Sequence, residues 1–108
     1  MTEKHDNHRA LTESSAAELE RMSIFFKVLS DRTRLKILSE LLAGNLCVMH
    51  ISERVGMSQS AVSHQLAILK RANLIKASRK GKTLVYSIAD EHVRLIMDMT
   101  LLHIREEE

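Results

Sequence analysis

The chain predicts one mainly α-helical domain with a two-stranded β wing. Three observations predict it: apolar residues recur at helical spacing from Leu19 to Leu69, the period falls to about two after Asn73, and helical spacing returns after Asp90. With 108 residues there is material for a single core. Hydrophobic residues make up 44% but aromatic residues only 3%, with no Trp, so that core must be built from Leu, Ile, Val, Met and Ala. Burial by so short a chain is marginal, and a shared dimer core would supplement it.

Residues 1–14 read as a mobile polar tail carrying His5 and His8, ahead of a domain over 15–106. Ser15-x-x-Glu18 resembles a capping box, and Leu19, Met22, Phe25, Phe26 and Leu29 follow at helical spacing, giving a first helix to about Leu29. Asp31 caps a second helix with an apolar stripe of Leu35, Leu38, Leu41 and Leu42, stopped at Gly44. A short third helix runs through Ile51 and Val55 to Gly56. Ser58 caps a fourth, with Val62, Leu66 and Leu69 as its buried positions. The third and fourth helices with their Gly56-Met57 turn form a helix-turn-helix pattern. Leu74 to Arg79 and Thr83 to Ile88 then read as strands joined across Lys80-Gly81-Lys82, and a basic-tipped ribbon behind a helix-turn-helix is a wing. The last helix spans about Glu91 to Arg105, with Val93, Ile96, Met97, Thr100, Leu101 and Ile104 as a broad apolar face.

The net charge is only +2, yet Lys70, Arg71, Lys76, Arg79, Lys80 and Lys82 fall within thirteen residues, and no acid lies between Val55 and Ser87. A basic block in a nearly neutral protein points to a polyanion on one face. The fourth helix opens with small polar residues, Ser58, Gln59 and Ser60, with Ser63 and His64 one turn later. Short side chains let a backbone approach the major groove, and Gln59 offers paired donor and acceptor to adenine. Lys70, Arg71, Arg79, Lys80 and Lys82 suit phosphates, which contribute affinity and salt dependence with little sequence information.

The last helix also carries two pairs of potential metal ligands, Asp90-x-His92 and His103-x-x-Glu106. At about 100° per residue, His92 and His103 lie roughly 20° apart around the axis, but at ~1.5 Å rise per residue they are roughly 16 Å apart along it. One chain cannot bring both pairs within the ~2 Å bonds of one ion. Two such helices packed antiparallel can, with two equivalent sites by symmetry. The residues alone leave a plainer reading open, in which Asp90 is an N-cap and Glu106 part of the acidic tail Glu106-Glu107-Glu108.

Residues 58–66, Ser-Gln-Ser-Ala-Val-Ser-His-Gln-Leu, followed by Leu69-Lys70, resemble the recognition helix of the ArsR/SmtB family of metal-sensing winged-helix repressors. Asp31-Arg32-Thr33-Arg34-Leu35-Lys36-Ile37-Leu38 looks like that family's second-helix signature, and Gly81 to Ile88 like its wing. The resemblance covers about residues 20 to 106, and departs at Arg32, where the family usually has proline. It implies a winged helix-turn-helix homodimer built on the first and last helices, bound to double-stranded operator DNA when metal-free. It also implies that Asp90, His92, His103 and Glu106 fall on the family's zinc site across paired last helices, so that metal would release the DNA. Two imidazoles and two carboxylates suit Zn(II), with Co(II) a competent substitute; Ni(II) would want more ligands, for which His5 and His8 are candidates. The Cys-x-Cys pair of the family's thiolate-rich site is missing from Cys47-Val48-Met49-His50. A second metal site from Cys47, His50, His5 and His8 stays open beside the reading of Cys47 as a small buried hydrophobe.

The single Cys47 excludes an intrachain disulfide framework and fits a reducing compartment, and no run approaches the ~18 apolar residues of a membrane span, so a cytoplasmic protein with no membrane or small-molecule partner is expected. Three other readings compete. The first is the same fold sensing oxidants through Cys47, by an intersubunit disulfide. A zinc hydrolase is the second, and four protein ligands would close its metal to substrate water. The third, a pure dimerisation module, accounts for neither the basic wing nor the polar start of the fourth helix. The expected protein is therefore not an enzyme.

Overall fold

The computed structural model describes residues 11–106. Five helices and a hairpin follow in the order α1 (Ala16–Leu29), α2 (Arg32–Ala43), α3 (Val48–Val55), α4 (Gln59–Arg71), β1 (Ile75–Lys80), β2 (Thr83–Ile88) and α5 (Glu91–Glu106). This is a winged helix-turn-helix. The tail histidines His5 and His8 lie outside the described residues.

Local chemistry sets most boundaries. Ser15 closes the expected capping box, its hydroxyl accepting from the Glu18 amide at 3.1 Å while the Glu18 carboxylate accepts from the Ser15 amide at 3.0 Å. Asp31 and Ser58 cap α2 and α4 by the side-chain bond alone, accepting the Arg34 and Ala61 amides. Gly56 ends α3 in the left-handed region at φ 73°, which permits the sharp turn into α4. At the end of α4, Asn73 takes φ 61°, the Asn73 amide donates to the Lys70 carbonyl, and the Leu74 amide donates to the Leu69 carbonyl. That is a Schellman motif, with Leu69 and Leu74 both fully buried as its apolar contact. It corrects the expected strand: Leu74 belongs to the helix stop, and β1 starts at Ile75 and runs to Lys80.

The strands pair antiparallel from Ile75 opposite Ile88 to Lys80 opposite Thr83, so the loop is only Gly81-Lys82, with φ 65° at Gly81. Positive φ confined to the first loop residue is the pattern of a II′ hairpin turn. Leu46, between α2 and α3, makes an isolated antiparallel bridge to Tyr86 and so adds a short third edge to the wing.

The core consists of Ile37, Leu38 and Leu41 of α2, Ile51 of α3, Val62, Leu66 and Leu69 of α4, Leu74, Ile75 and Val93. The three buried positions expected on α4 are the three observed. On α2 the expectation needs correction, because Ile37 is fully buried while Leu35 is exposed. The buried face continues one turn back to Arg34, and a charged residue there hides the stripe from a reading that follows apolar residues alone. No residue of α1 is buried, and Val93 alone is buried on α5. Those two helices flank the core and keep most of their apolar surface in solvent.

Candidate functional site

Gln59, Ser60, Ser63 and His64 are all exposed along the first two turns of α4. Ser58 is exposed too, but its oxygen accepts the Ala61 amide at 3.1 Å, so it serves first as a cap. Buried Val62, Leu66 and Leu69 seat the opposite face of α4 on the core, which fixes which side chains face outward. Lys70 and Arg71 are exposed at the far end of the helix, and Arg79, Lys80 and Lys82 at the wing tip. Ser63, Arg79, Lys82 and Tyr86 line one open cavity of about 490 Å³, so the recognition helix and the basic wing border the same space. Ser63 of α4 thus shares a space with Arg79 and Lys82 of the wing, an arrangement suited to a duplex.

Cys47 lines this cavity as well, at the N-cap of α3. Its Sγ lies 3.4 Å from His50 Nδ1, so two of the four candidate second-site ligands come together. The thiol is half-buried rather than buried, which corrects its reading as a core hydrophobe.

The other donor pairs sit on α5. Asp90 caps that helix through Oδ1, which accepts the Val93 amide at 3.1 Å and leaves Oδ2 free of that bond. His92 Nδ1 stands 3.6 Å from the same Oδ1, with the His92 side chain 87% exposed. His103 and Glu106 are exposed at the other end of the helix. Among the described residues, no three His, Cys, Asp or Glu side chains of one chain gather to hold a metal ion.

Sequence reasoning missed a second apolar stripe on α5. Leu95, Met99 and Leu102 follow the i, i+4, i+7 spacing and are all exposed, Met99 by 60%. His92 and His103 bracket this stripe, about two turns before and one turn after Met99 respectively. Positions 92 and 103 share the midpoint 97.5, and positions 90 and 106 the midpoint 98. A single antiparallel crossing of two such helices would therefore face both donor pairs at once. Alongside, Met22, Phe25 and Phe26 of α1, with Ala72, Asn73 and Ile96, line an open groove of about 740 Å³. A patch of this kind is the sort of surface that marks a protein contact.

Known proteins share this fold. A sequence profile described as bacterial regulatory protein, arsR family, matches residues 31–77. The chain is 37% identical over 94 residues to a transcriptional repressor SmtB homolog of Synechocystis, covering 87% of this chain and 71% of that one. It is 42% identical over 82 residues to a cadmium resistance transcriptional regulatory protein CadC homolog of Staphylococcus aureus, covering 75% and 68%. In structure it is similar to a homodimeric winged helix-turn-helix DNA-binding domain of Mycobacterium bovis, with TM-score 0.82, 32% identity and 85% of each chain covered. The chain belongs to the ArsR family of bacterial transcriptional regulators, proteins that bind DNA rather than turn over a substrate.

Proposed function

We propose that the protein is a metal-responsive repressor that binds operator DNA as a metal-free homodimer and leaves it when Zn(II) binds between paired α5 helices. The observation that carries this reading is the placement of two donor pairs at the two ends of one exposed apolar stripe on α5. A second copy of the chain covers the stripe and, in doing so, delivers His103 and Glu106 to Asp90 and His92. Names among its relatives, a repressor and a cadmium-resistance regulator, support the same class of function.

The donor set fits the ion: two imidazoles and two carboxylates suit tetrahedral Zn(II), and Co(II) in its place. Asp90 would offer Oδ2 to the ion, since Oδ1 accepts the Val93 amide of the helix cap. When bound, the metal supplies a fixed junction between protomers and sets the separation of the two recognition helices. Gln59, Ser60, Ser63 and His64 read base edges, and Lys70, Arg71, Arg79, Lys80 and Lys82 hold phosphates. Linkage then requires DNA to weaken zinc binding by the factor by which zinc weakens DNA binding.

The test is fluorescence anisotropy of a labelled fragment from the protein's own upstream region, first in chelator and then in buffered zinc. Tight binding in chelator that weakens about ten-fold or more, ~1.4 kcal/mol of coupling, is the expected result. Binding that zinc leaves unchanged removes zinc as the inducer and sends the same assay to Ni(II) and Co(II). The 3.4 Å approach of Cys47 to His50 favours a second reading, a site completed by His5 and His8 of the other chain. Zinc release that persists in His103→Ala and disappears in Cys47→Ser would select it. The oxidant-sensing alternative predicts instead a Cys47-linked dimer on a gel without reductant.

A further inference from the structure

Arg34 is the third residue of α2, and a cation in a first turn opposes the helix dipole. Its guanidinium leaves its own helix for two others. Nε donates to the Val28 carbonyl at 2.7 Å, and Nη1 donates to Gln65 Oε1 at 3.1 Å. Val28 lies in the last turn of α1, where carbonyls have no intrahelical donor and where the dipole favours a cation. Gln65 lies in the middle of α4, on the side turned toward α2. Both bonds involve a partly buried group and a charged donor, the stronger class of hydrogen bond. Because arginine only donates, the Gln65 amide must present its oxygen to Arg34.

The geometry points to Arg34 as a positioning residue for operator binding, one that ties the end of α1 to the middle of the recognition helix. No side chain of α1 is fully buried, so α1 rests on the core through the half-buried Phe25, Val28 and Leu29. The fork on Arg34 sets where along α1 the recognition helix is held, and so carries the placement of α1 in the dimer to the face that reads DNA. This rests on the dimeric repressor reading above. Lysine cannot replace the fork, since one ammonium does not span both acceptors in a fixed plane.

The experiment compares Arg34→Lys, Gln65→Leu and the double variant with the wild-type protein, at full length and metal-free. Gln65→Leu leaves the Val28 bond in place and is the variant expected to fold without difficulty. Hydrogen exchange in DNA-free protein reads the tie itself, and faster exchange in the last turn of α1 and around Gln65 is expected in each single variant. Unchanged exchange in Gln65→Leu overturns the tie, whether or not the protein is a repressor. Operator affinity, measured above the dimerisation range fixed by sedimentation, reads its function. A loss of ten-fold or more is expected in each single variant, with the double variant no worse than Arg34→Lys by more than about two-fold, because the Gln65 contact is already lost there. Additive losses would mean that Gln65 meets DNA directly, and affinity unchanged in folded dimers would mean that Arg34 only stabilises; either overturns the proposal. Failure of the wild-type protein to dimerise or bind DNA strikes the repressor reading and leaves the exchange result to decide the tie.

Discussion

Leu46 and Tyr86, forty residues apart, exchange both backbone hydrogen bonds, Leu46 N–H to Tyr86 O at 3.1 Å and Tyr86 N–H to Leu46 O at 2.8 Å. The segment that leads into α3 is thereby stitched to the second strand of the wing. An isolated hairpin is marginal in water, so this third edge holds the wing against the helices. Leu46→Pro removes one donor from the pair and should cost about 1–3 kcal/mol. A thermal melt lower by several degrees, with faster exchange of the Tyr86 amide, checks it; an unchanged melt would show that the wing stands without the stitch.

Asn73 holds a left-handed conformation that glycine adopts freely and alanine does not. Asn73→Gly should therefore leave stability nearly unchanged, whereas Asn73→Ala should cost about 1–2 kcal/mol. Chemical denaturation of the two variants side by side measures the difference, and equal midpoints would contradict the Schellman assignment.

The exposed stripe on α5 leads to a separate expectation for assembly. Met99→Asp places a charge where the partner helix would sit but touches nothing in the protomer core. Sedimentation should show a monomer that still melts cooperatively, with operator affinity reduced at least ten-fold. A variant that stays dimeric would move the dimer seam elsewhere. Leu38→Ala serves as contrast: it empties a fully buried position and should cost about 2–5 kcal/mol of folding stability.

Wing and recognition helix should fail in different ways. Lys80→Ala removes a phosphate contact, so affinity should fall to a similar extent on every sequence, and the slope of log affinity against log salt should shrink by about 1. Gln59→Ala removes a base contact, and should cost about 1–3 kcal/mol on the operator and relax discrimination there. Salt titrations on operator and scrambled DNA separate the two, and a Lys80→Ala variant with an unchanged salt slope would exclude the wing tip from the interface.

His103→Ala tests the metal directly. Removing one imidazole from a four-ligand site should weaken zinc binding by two orders of magnitude or more while leaving chelator-treated DNA affinity intact. Competition with a zinc-binding dye measures the first and anisotropy the second. A variant that keeps zinc affinity would detach the ion from the α5 pair.

Helix ends were legible in the sequence because each is a short-range event. Ser15, Asp31 and Ser58 each accept an amide three residues on, and Gly56 and Gly81 provide positive φ where the chain must reverse. The outward polar set on α4 was legible for the same reason, since Val62, Leu66 and Leu69 recur at helical spacing and leave the remaining positions facing out. The donor pairs on α5 could be seen, and so could the impossibility of one chain using both, because helical rise alone decides that.

Tertiary structure decided what spacing does not encode. Leu35 and Ile37 exchanged roles because the buried face of α2 runs through Arg34, whose charge is met by Val28 and Gln65 on other helices. Leu74 is a helix stop rather than a strand residue through bonds that are local too, but no glycine at position 73 announced the left-handed turn. Leu46 and Tyr86 met because the core places α3 beside the wing, and Cys47 came to line the cavity between recognition helix and wing on the same account. Apart from the junction of α4 and β1, residue order alone set where elements begin, end and turn, since those bonds join residues a few positions apart. Which elements are pinned together, and which apolar stripes stay open on α1 and α5, only the packed chain decided, because each such contact needs partners from distant parts of the sequence.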